Sequence, residues 1–328
     1  MKKNAGKSSS IDVSAESRTI WQRLTGSRRL LVFLVILVVL VGMTILFRQI
    51  HLETPHVTIG RGVEIALDWA IIYLSPILET IKLGIHQVFM AVETFLLWVP
   101  WPVWVVFIGL ASWKLASVVT AVMITGGLFI IQLVKLWPET MSTVALVGTA
   151  VLLTIILGVP IGILASRSDR FDTFVRPILD AMQTIPSLVY LIPVVMLLGV
   201  GKVPAILATM VFGISPAIRL TNLGLRQVPA DIKEAAQAFG ASGWQMLVKV
   251  ELPLALRTIM AGINQSTMLS VSMVIIAAFI GAGGLGHSVL FALNRVQIGT
   301  GFEAGLAILI IAIILDRLTQ SLARASNR

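Results

Sequence analysis

The chain has 328 residues, of which 57% are hydrophobic and only 12% are charged, and its mean hydropathy is +0.94. Soluble domains carry roughly a quarter charged residues, so this chain has too little polar surface to cover a water-soluble globule, and a lipid bilayer is the expected solvent. The formal net charge of +9 could suit a nucleic-acid ligand, but the placement of the charges indicates a membrane, and we expect no nucleic-acid partner. The absence of cysteine excludes disulfides, thiolate catalysis and cysteine-based zinc sites.

The chain opens with a polar tail followed by a long apolar run. Residues 1–29 are Ser-rich and basic and are predicted to form a cytoplasmic tail. The run 30–47 is close to the ~20 residues that a spanning helix needs, and no small-residue cleavage site follows it. It therefore predicts a retained transmembrane helix rather than a secretion signal.

Segment 48–95 differs because charged residues interrupt its apolar stretches every few positions. A charge at the bilayer centre costs at least ~2.5 kcal/mol, so this segment is not expected to span. Its helical spacing predicts amphipathic helices on the extracytoplasmic membrane surface. A tightly packed pair of true spans is the alternative.

Further apolar segments bring the prediction to about eight spanning helices in an all-α integral membrane protein. They lie at 96–112, 115–136, 141–165, 178–200, 204–220, 261–281 and 303–321. Three spans fall in an N-terminal region, 30–140, and the last five form a core, 141–322, that contains a long polar loop at 221–260.

The basic residues test this topology independently of hydropathy. With the N-terminal tail inside the cell, most of the 25 Lys and Arg residues fall on the inner side. Those left outside are Arg48, Arg61, Lys82, Lys135, Lys202 and Arg295. Such a bias is expected of the cytoplasmic face, so the pattern predicts a multi-pass protein of the plasma (inner) membrane with both termini and loop 221–260 in the cytoplasm.

Loop 221–260 contains the segment VPADIKEAAQAFGASGWQMLVKVELP. Asp231 is predicted to N-cap a short helix with Glu234 as its capping-box partner, and Gly240 to end that helix in a left-handed conformation. Ser242 is predicted to cap a second short helix, which Pro253 closes before the next span. These features alone favour an ordinary amphipathic connector over a surface that docks a partner.

The same residues resemble the EAA loop of ABC importer permeases. That pattern is Glu-Ala-Ala, three residues, Gly, nine residues, an aliphatic residue, any residue and Leu-Pro. The fixed positions are filled here by Glu234, Ala235, Ala236, Gly240, Val250, Leu252 and Pro253. The position between the third and fourth core spans also agrees with that family.

The resemblance implies how the protein works and with which partners. The helix Glu234–Gly240 would dock into a groove of an ABC ATPase subunit and transmit closure of the ATPase dimer. Two copies of this chain, two ATPases and an external substrate-binding protein would then form the complex. The five-helix core would have the type I importer fold.

Other stretches are similar to glycine betaine/proline betaine permeases, the quaternary-ammonium osmoprotectant family. They are Asp180–Pro186, Gln227–Asp231, Ile259–Gly262, Gly283–Gly286 and Ala312–Gln320. Choline importers and some amino-acid importers share much of this pattern, so these remain alternative substrates. The resemblance covers about residues 140–322.

Several motifs do not support an enzyme, a metal site or a cofactor. The stretch Gly281–Gly286 matches G-x-G-x-x-G, but it ends a membrane span instead of following a strand, so a tight turn or close helix packing is expected. No Walker A sequence is present, so ATP hydrolysis is expected on a separate subunit. His51, Glu53 and His56 are more typical of a surface loop than of metal ligands.

The fourth core span carries a polar patch that includes Asn264, Gln265, Thr267 and Ser270. These side chains suit either helix–helix hydrogen bonds or a translocation path. Recognition of a quaternary ammonium usually uses an aromatic cage, which we expect in the separate binding protein.

The leading hypothesis is a permease subunit of an ATP-driven importer for glycine betaine, proline betaine or a related compound. The alternative of another class is a secondary transporter driven by an ion gradient, which usually needs acidic or basic residues inside the membrane. The core spans contain almost none, since Asp180 and Asp316 lie near cytoplasmic ends. A membrane scaffold without transport is a weaker alternative.

Overall fold

The structure is a computed structural model that describes residues 31–46, 59–115 and 117–325. Within these ranges every regular element is a helix and no strand occurs, which confirms the predicted all-α class. The chain divides into two compact units, Met1–Gly62 and Val63–Arg328. The predicted tail 1–29 and the candidate metal ligands His51, Glu53 and His56 lie outside the described residues.

Helix α1 (Leu31–Leu46) belongs to the first unit and has a largely aliphatic sequence. Its apolar side chains are exposed along its whole length. Such exposure is unfavourable in water at about 25 cal/mol per Å², so the helix suits a lipid environment.

Helix α2 (Ile59–Trp98) is one helix of 40 residues where the sequence predicted several amphipathic pieces. The charges that suggested interruptions do not oppose a continuous helix: Glu64 and Glu79 are exposed, and the buried Glu93 is paired with Lys202. Its second half belongs to the second unit and packs on the other helices there through buried Phe89, while its first half exposes apolar side chains. The helix meets the length and composition of a membrane span, and its location on the membrane surface stays a prediction.

Helices α3 (Trp101–Leu115) and α4 (Val118–Leu133) pack on each other. The first of them begins later than the predicted 96, because α2 continues to Trp98 before the break at Pro100. Helix α4 has Ser117 as its N-cap, whose hydroxyl accepts a hydrogen bond from the Thr120 backbone N–H at 3.2 Å.

The remaining helices form the core. They are α5 (Trp137–Arg167), α6 (Asp169–Thr184), α7 (Leu191–Leu198), α8 (Lys202–Arg226), α9 (Ala230–Ala238), α10 (Gly243–Gln245), α11 (Leu252–Ala277), α12 (Gly284–Asn294) and α13 (Ile298–Ala325). Short 3₁₀ segments precede α7 and follow α11. Much of the predicted polar loop 221–260 is therefore helical.

The predicted span 178–200 is broken in two. Helix α6 and the segment Ser187–Leu198 meet at an angle of 112°. Pro186 lies at the break. Proline disfavours a helical conformation of the preceding residue, and Ile185 is accordingly extended, with ψ 129°.

Length and composition allow several described helices to cross a membrane. Helices α2, α5, α8 and α13 qualify, as does the continuous helical stretch Gly243–Ile280. The bent pair would add a sixth span, and α1 and α4 are shorter apolar helices. The predicted count of about eight is consistent with these helices and stays a prediction.

Helices α5, α8 and α11 pack closely at the centre of the core. Their shared interfaces contain many small residues, among them buried Ala145, Ala150, Ala205 and Ala208. Without a hydrophobic driving force in lipid, helices associate by close van der Waals contact, which small side chains permit. The loop that connects α8 to α11 begins and ends at this interface.

The glycine-rich stretch after α11 forms a tight turn, as the sequence predicts. Gly286 packs so closely on α11 that a Cβ atom there would lie 2.3 Å from the Val274 carbonyl oxygen. The Leu285 backbone N–H donates to Thr143 Oγ1 at 2.8 Å, which ties α12 to α5. These contacts explain the glycines without a nucleotide.

The candidate coupling site

Helix α9 carries the Glu-Ala-Ala sequence and ends as predicted at Gly240, whose φ is +79°. The Gly240 N–H donates to the Gln237 carbonyl at 2.9 Å, and the Ala241 N–H donates to the Ala236 carbonyl at 3.1 Å. These two bonds form a Schellman motif, which satisfies the last carbonyls of the helix. The motif turns the chain sharply toward α10.

The predicted N-cap of this helix is wrong. The helix begins one residue before Asp231, and the N-cap position is Pro229, which makes no side-chain hydrogen bond. Asp231 instead lies in the first turn, where its negative charge stabilises the helix by interacting with the positive end of the helix dipole. The capping-box role predicted for Glu234 is wrong for the same reason.

Ser242 caps the second helix, as predicted. Its hydroxyl accepts from the Gln245 N–H at 3.3 Å, and Gln245 Oε1 accepts from the Ser242 N–H at 2.9 Å, which completes a capping box. The following segment Met246–Glu251 is a π-helix that leads directly into α11. Pro253 therefore does not close the second helix; it lies in the first turn of α11.

The outer surface of this loop is open and partly apolar. Glu234 and Ala235 are exposed, and no residue in the described part of the chain forms an ion pair with Glu234. Phe239 is 92% exposed and Trp244 is 73% exposed. Exposed aromatic residues beside small side chains are typical of a protein interaction surface. We call residues 231–244 the docking surface and α9 the docking helix, after the role that the resemblance to the EAA loop implies for them.

A buried carboxylate lies beneath the docking surface. Glu251 is only 2% exposed, and Arg167 at the end of α5 binds both of its oxygens, with Nη1 3.2 Å from Oε1. Lys233 of α9 lies 3.3 Å from the same Oε1 and also donates to the Leu225 carbonyl at 3.3 Å. One carboxylate thus connects α5, the docking helix and the entry to α11.

An apolar cluster anchors the two ends of the loop. Val228, just before α9, is buried together with Leu225 from α8 and with Ala255, Ile259 and Ile263 from α11. The loop therefore leaves the packed α8–α11 interface and returns to it.

A second charged network joins α6 to the end of α8. Asp172 accepts hydrogen bonds from Arg176 at 2.5 Å and from Asn222 at 2.8 Å, and Arg226 pairs with Asp169 at 2.7 Å. Of these groups, Asp172, Arg176, Asn222 and Arg226 line an open cavity of about 290 Å³. The network fixes α6 against α8 shortly before the loop begins.

The polar patch on α11 does not form one continuous lining. Thr267 and Ser270 are buried, and each donates to a carbonyl one turn earlier in its own helix. Asn264 donates to Asp316 of α13 at 3.0 Å and so acts between helices. Gln265 is exposed. Of the four candidate path residues, Gln265 is the most exposed, Asn264 is half-buried, and the other two are buried.

Comparison with known proteins assigns the family. A model of the family described as "Binding-protein-dependent transport system inner membrane component" matches residues 158–328. The chain belongs to this family. The matched region begins inside α5 and includes the docking surface, Glu251 and all of α11 to α13. The chain is therefore an inner-membrane component of a transport system, a translocation subunit rather than an enzyme.

Individual relatives cover most of the chain. The glycine betaine/proline betaine transport system permease protein ProW of Escherichia coli (strain K12) is 45% identical over 261 residues, which are 80% of this chain and 74% of the relative. The glycine betaine transport system permease protein OpuAB of Bacillus subtilis (strain 168) is 40% identical over 268 residues, which are 82% of this chain and 95% of the relative.

A solved structure shows the same fold at low sequence identity. An inward-facing structure of the MetNI methionine ABC transporter matches with a TM-score of 0.53 and 21% identity. The match covers 59% of this chain and 96% of that chain. It supports the type I arrangement of the core helices.

The sequence pattern did not identify Glu251 or its two cationic partners. Glu251 stands at the one position of Val250–Pro253 where the pattern accepts any residue. The available signal was a carboxylate inside an apolar stretch, which is rare unless the charge is paired. Its partners, Arg167 and Lys233, are far apart in sequence, so only the fold could join them.

Proposed function

We propose that the protein is the membrane-spanning permease subunit of an ATP-driven importer for glycine betaine, proline betaine or a related compound. The observation that carries the mechanism is the docking surface, an exposed helix with Glu234 and Ala235 beside Phe239 and Trp244. Relatives at 45% and 40% identity whose names include glycine betaine support the substrate.

The complex contains two copies of this chain, two ABC ATPase subunits and an external binding protein. The docking surface of each copy fits a groove of one ATPase, so ATP-driven closure of the ATPases moves both docking helices. Glu234, Ala235, Ala236 and Gly240 form the contact, and Leu252 with Pro253 starts the core helix behind it. Movement of the core helices then opens the path alternately to each side.

The arrangement in the membrane follows from the charges. We propose that both termini and loop 221–260 are cytoplasmic, because the basic residues concentrate there. Residues 30–140 form an N-terminal membrane region with an extracytoplasmic segment at 48–95, and 141–322 form the transport core.

Substrate uptake tests this proposal directly. The purified complex in proteoliposomes should accumulate labelled glycine betaine only with ATP, and unlabelled glycine betaine or proline betaine should compete better than choline or proline. Accumulation driven by an ion gradient without ATP would support a secondary transporter instead. Preference for choline or an amino acid would keep the importer and change its substrate.

Substitutions on the docking surface test the mechanism. Gly240→Glu, and separately Glu234→Trp combined with Ala235→Trp, should abolish uptake and ATPase coupling while membrane insertion is retained, because bulk on a slim helix prevents docking. Normal uptake in both variants would contradict the assigned role.

A further inference from the structure

Glu251, at the centre of the ion-pair cluster beneath the docking surface, is almost inaccessible and so does not contact a docked partner directly. We propose that Glu251 is a positioning residue that transmits movement of the docking helix to the core, by binding Lys233 of α9 and Arg167 of α5 simultaneously. This inference rests on the proposed function and adds the internal connection between the ATPase contact and the transport helices.

The docking helix lies on the surface of the protein, so its movement reaches the core only through specific contacts. None of the residues of α9 is buried. The buried residues nearest to it in sequence, Val228 and Met246, lie outside its ends. Among the described residues, the ion pair and side-chain hydrogen bond that join α9 to the core both come from Lys233, which pairs with Glu251 and donates to the Leu225 carbonyl.

Burial makes the connection stiff. A carboxylate removed from water is costly unless its charge is paired and its oxygens are hydrogen-bonded. Glu251 satisfies this requirement through two cations from two different elements. If α9 moved without α5 and α11, the carboxylate would lose a partner while still buried. The least costly response to movement of α9 is movement of all three elements together.

The backbone next to Glu251 also has an unusual conformation. Met246–Glu251 forms a π-helix between α10 and α11. Such segments are rare and occur frequently at functional positions. Glu251 is its last residue, so the ion-pair cluster lies where a change in helical register would rotate α11 relative to the docking surface.

The absence of cysteine from the chain permits a sharp test with single reporter residues. Gln237→Cys places an exposed thiol on α9, and Ser272→Cys places one on an exposed face of α11. In the assembled complex, ATP should change the rate of thiol modification at both positions. The two rates report the docking helix and the core separately.

Lys233→Met removes the charge and keeps most of the stem, whereas Lys233→Arg keeps the charge. With Lys233→Met, the ATP-dependent change should persist at position 237 and fall to background at 272. Uptake per ATP hydrolysed should drop within the range of about 5–150-fold that is typical of a lost coupling between sites. Lys233→Arg should restore both the response and the uptake.

Glu251→Gln is the second variant, and it should uncouple in the same way. It should fold, because the side chains of Arg167 and Lys233 are 45% and 29% exposed and can be solvated when unpaired. Asp180→Asn is the matched control, because it removes an exposed carboxylate paired with Arg219 on the same side of the core and should change neither readout.

The outcomes separate the inference from the function on which it rests. A normal response at 272 with normal uptake in both Lys233→Met and Glu251→Gln would overturn the role of Glu251. Loss of the response at both positions together with loss of ATPase co-purification would also overturn it, since Lys233 would then be a docking residue. No ATP-dependent change in the unmutated complex would refute the proposed function, and the inference with it.

Discussion

Glycine at position 240 has two possible explanations: a left-handed backbone conformation, or a contact with the ATPase that leaves no room for a side chain. Substitution of Gly240 distinguishes them. The residue has φ +79°, and a Cβ atom at that position would meet nothing within 4 Å. The cost of a side chain within this chain is therefore conformational rather than steric. A left-handed residue with a Cβ costs roughly 1–2 kcal/mol, and asparagine tolerates this region better than alanine.

This cost acts on the Schellman motif that ends α9. A penalty of about 1.4 kcal/mol corresponds to a tenfold change in an equilibrium constant, so Gly240→Ala should weaken ATPase binding by up to roughly tenfold. Gly240→Asn should weaken it less, although its side chain is larger. If contact with the ATPase alone excluded side chains, asparagine would be the worse of the two.

The assay is the affinity of the ATPase for the detergent-solubilised permease, measured for the two variants and the unmutated chain. Amide hydrogen exchange in α9 provides the independent readout, since a weaker C-terminal motif should increase exchange at the end of the helix. Equal affinities for Ala and Asn with unchanged exchange would refute the conformational argument. A lower affinity for Asn than for Ala would assign the glycine to the partner contact instead.

Three further predictions concern other parts of the structure. Gly286→Ala should destabilise the protein strongly, because its Cβ would lie 2.3 Å from a carbonyl oxygen of α11, whereas Gly148→Ala meets nothing within 4 Å and should be neutral in a thermal unfolding assay. Lys202→Met should lower stability by about 3–5 kcal/mol, because it strands the buried carboxylate of Glu93, to which Lys202 now pairs at 2.7 Å. Trp244→Ser should reduce ATPase co-purification without lowering thermal stability, because the side chain is largely exposed.

A specific result would contradict each of these three predictions. Equal melting temperatures for the two glycine variants would show that α11 and α12 separate easily. Restored stability in a Lys202→Met, Glu93→Gln double variant would support the ion-pair explanation, and its absence would point to lost packing of the lysine stem. Unchanged ATPase binding by Trp244→Ser would remove that residue from the docking surface.

The family-specific pattern and the local backbone signals were readable from the sequence. Gly240 and Ser242 work at the turn as their residue types predict, because left-handed backbone and N-capping depend on neighbours only a few residues away. The N-cap predicted at Asp231 was wrong by two residues, because Pro229 pre-sets the backbone for a helix entry without a side-chain cap.

Longer-range features were not readable in the same way. The charges of segment 48–95 suggested separate surface helices, and the structure has one continuous helix over most of it, because exposed charges on one helix do not interrupt its backbone hydrogen bonds. The polar patch on α11 looked uniform in sequence, yet Thr267 is buried against its own helix and Gln265 is exposed. Helical periodicity shows which residues share a face of α11, but it does not show which face packs on another helix, because the positions of the other helices are not known from the sequence.

The sequence by itself determined the solvent, the helical class and the glycine turn of the loop after α8, because composition, apolar run length and residue-specific backbone preferences are local properties. Only the tertiary structure decided what lies behind that loop. Arg167, Lys233 and Glu251 carry no shared spacing, and their meeting depends on how α5, α9 and α11 pack. A buried charge is stable only when oppositely charged groups lie beside it in the folded protein, and those groups can come from any part of the sequence, so no periodic pattern identifies them.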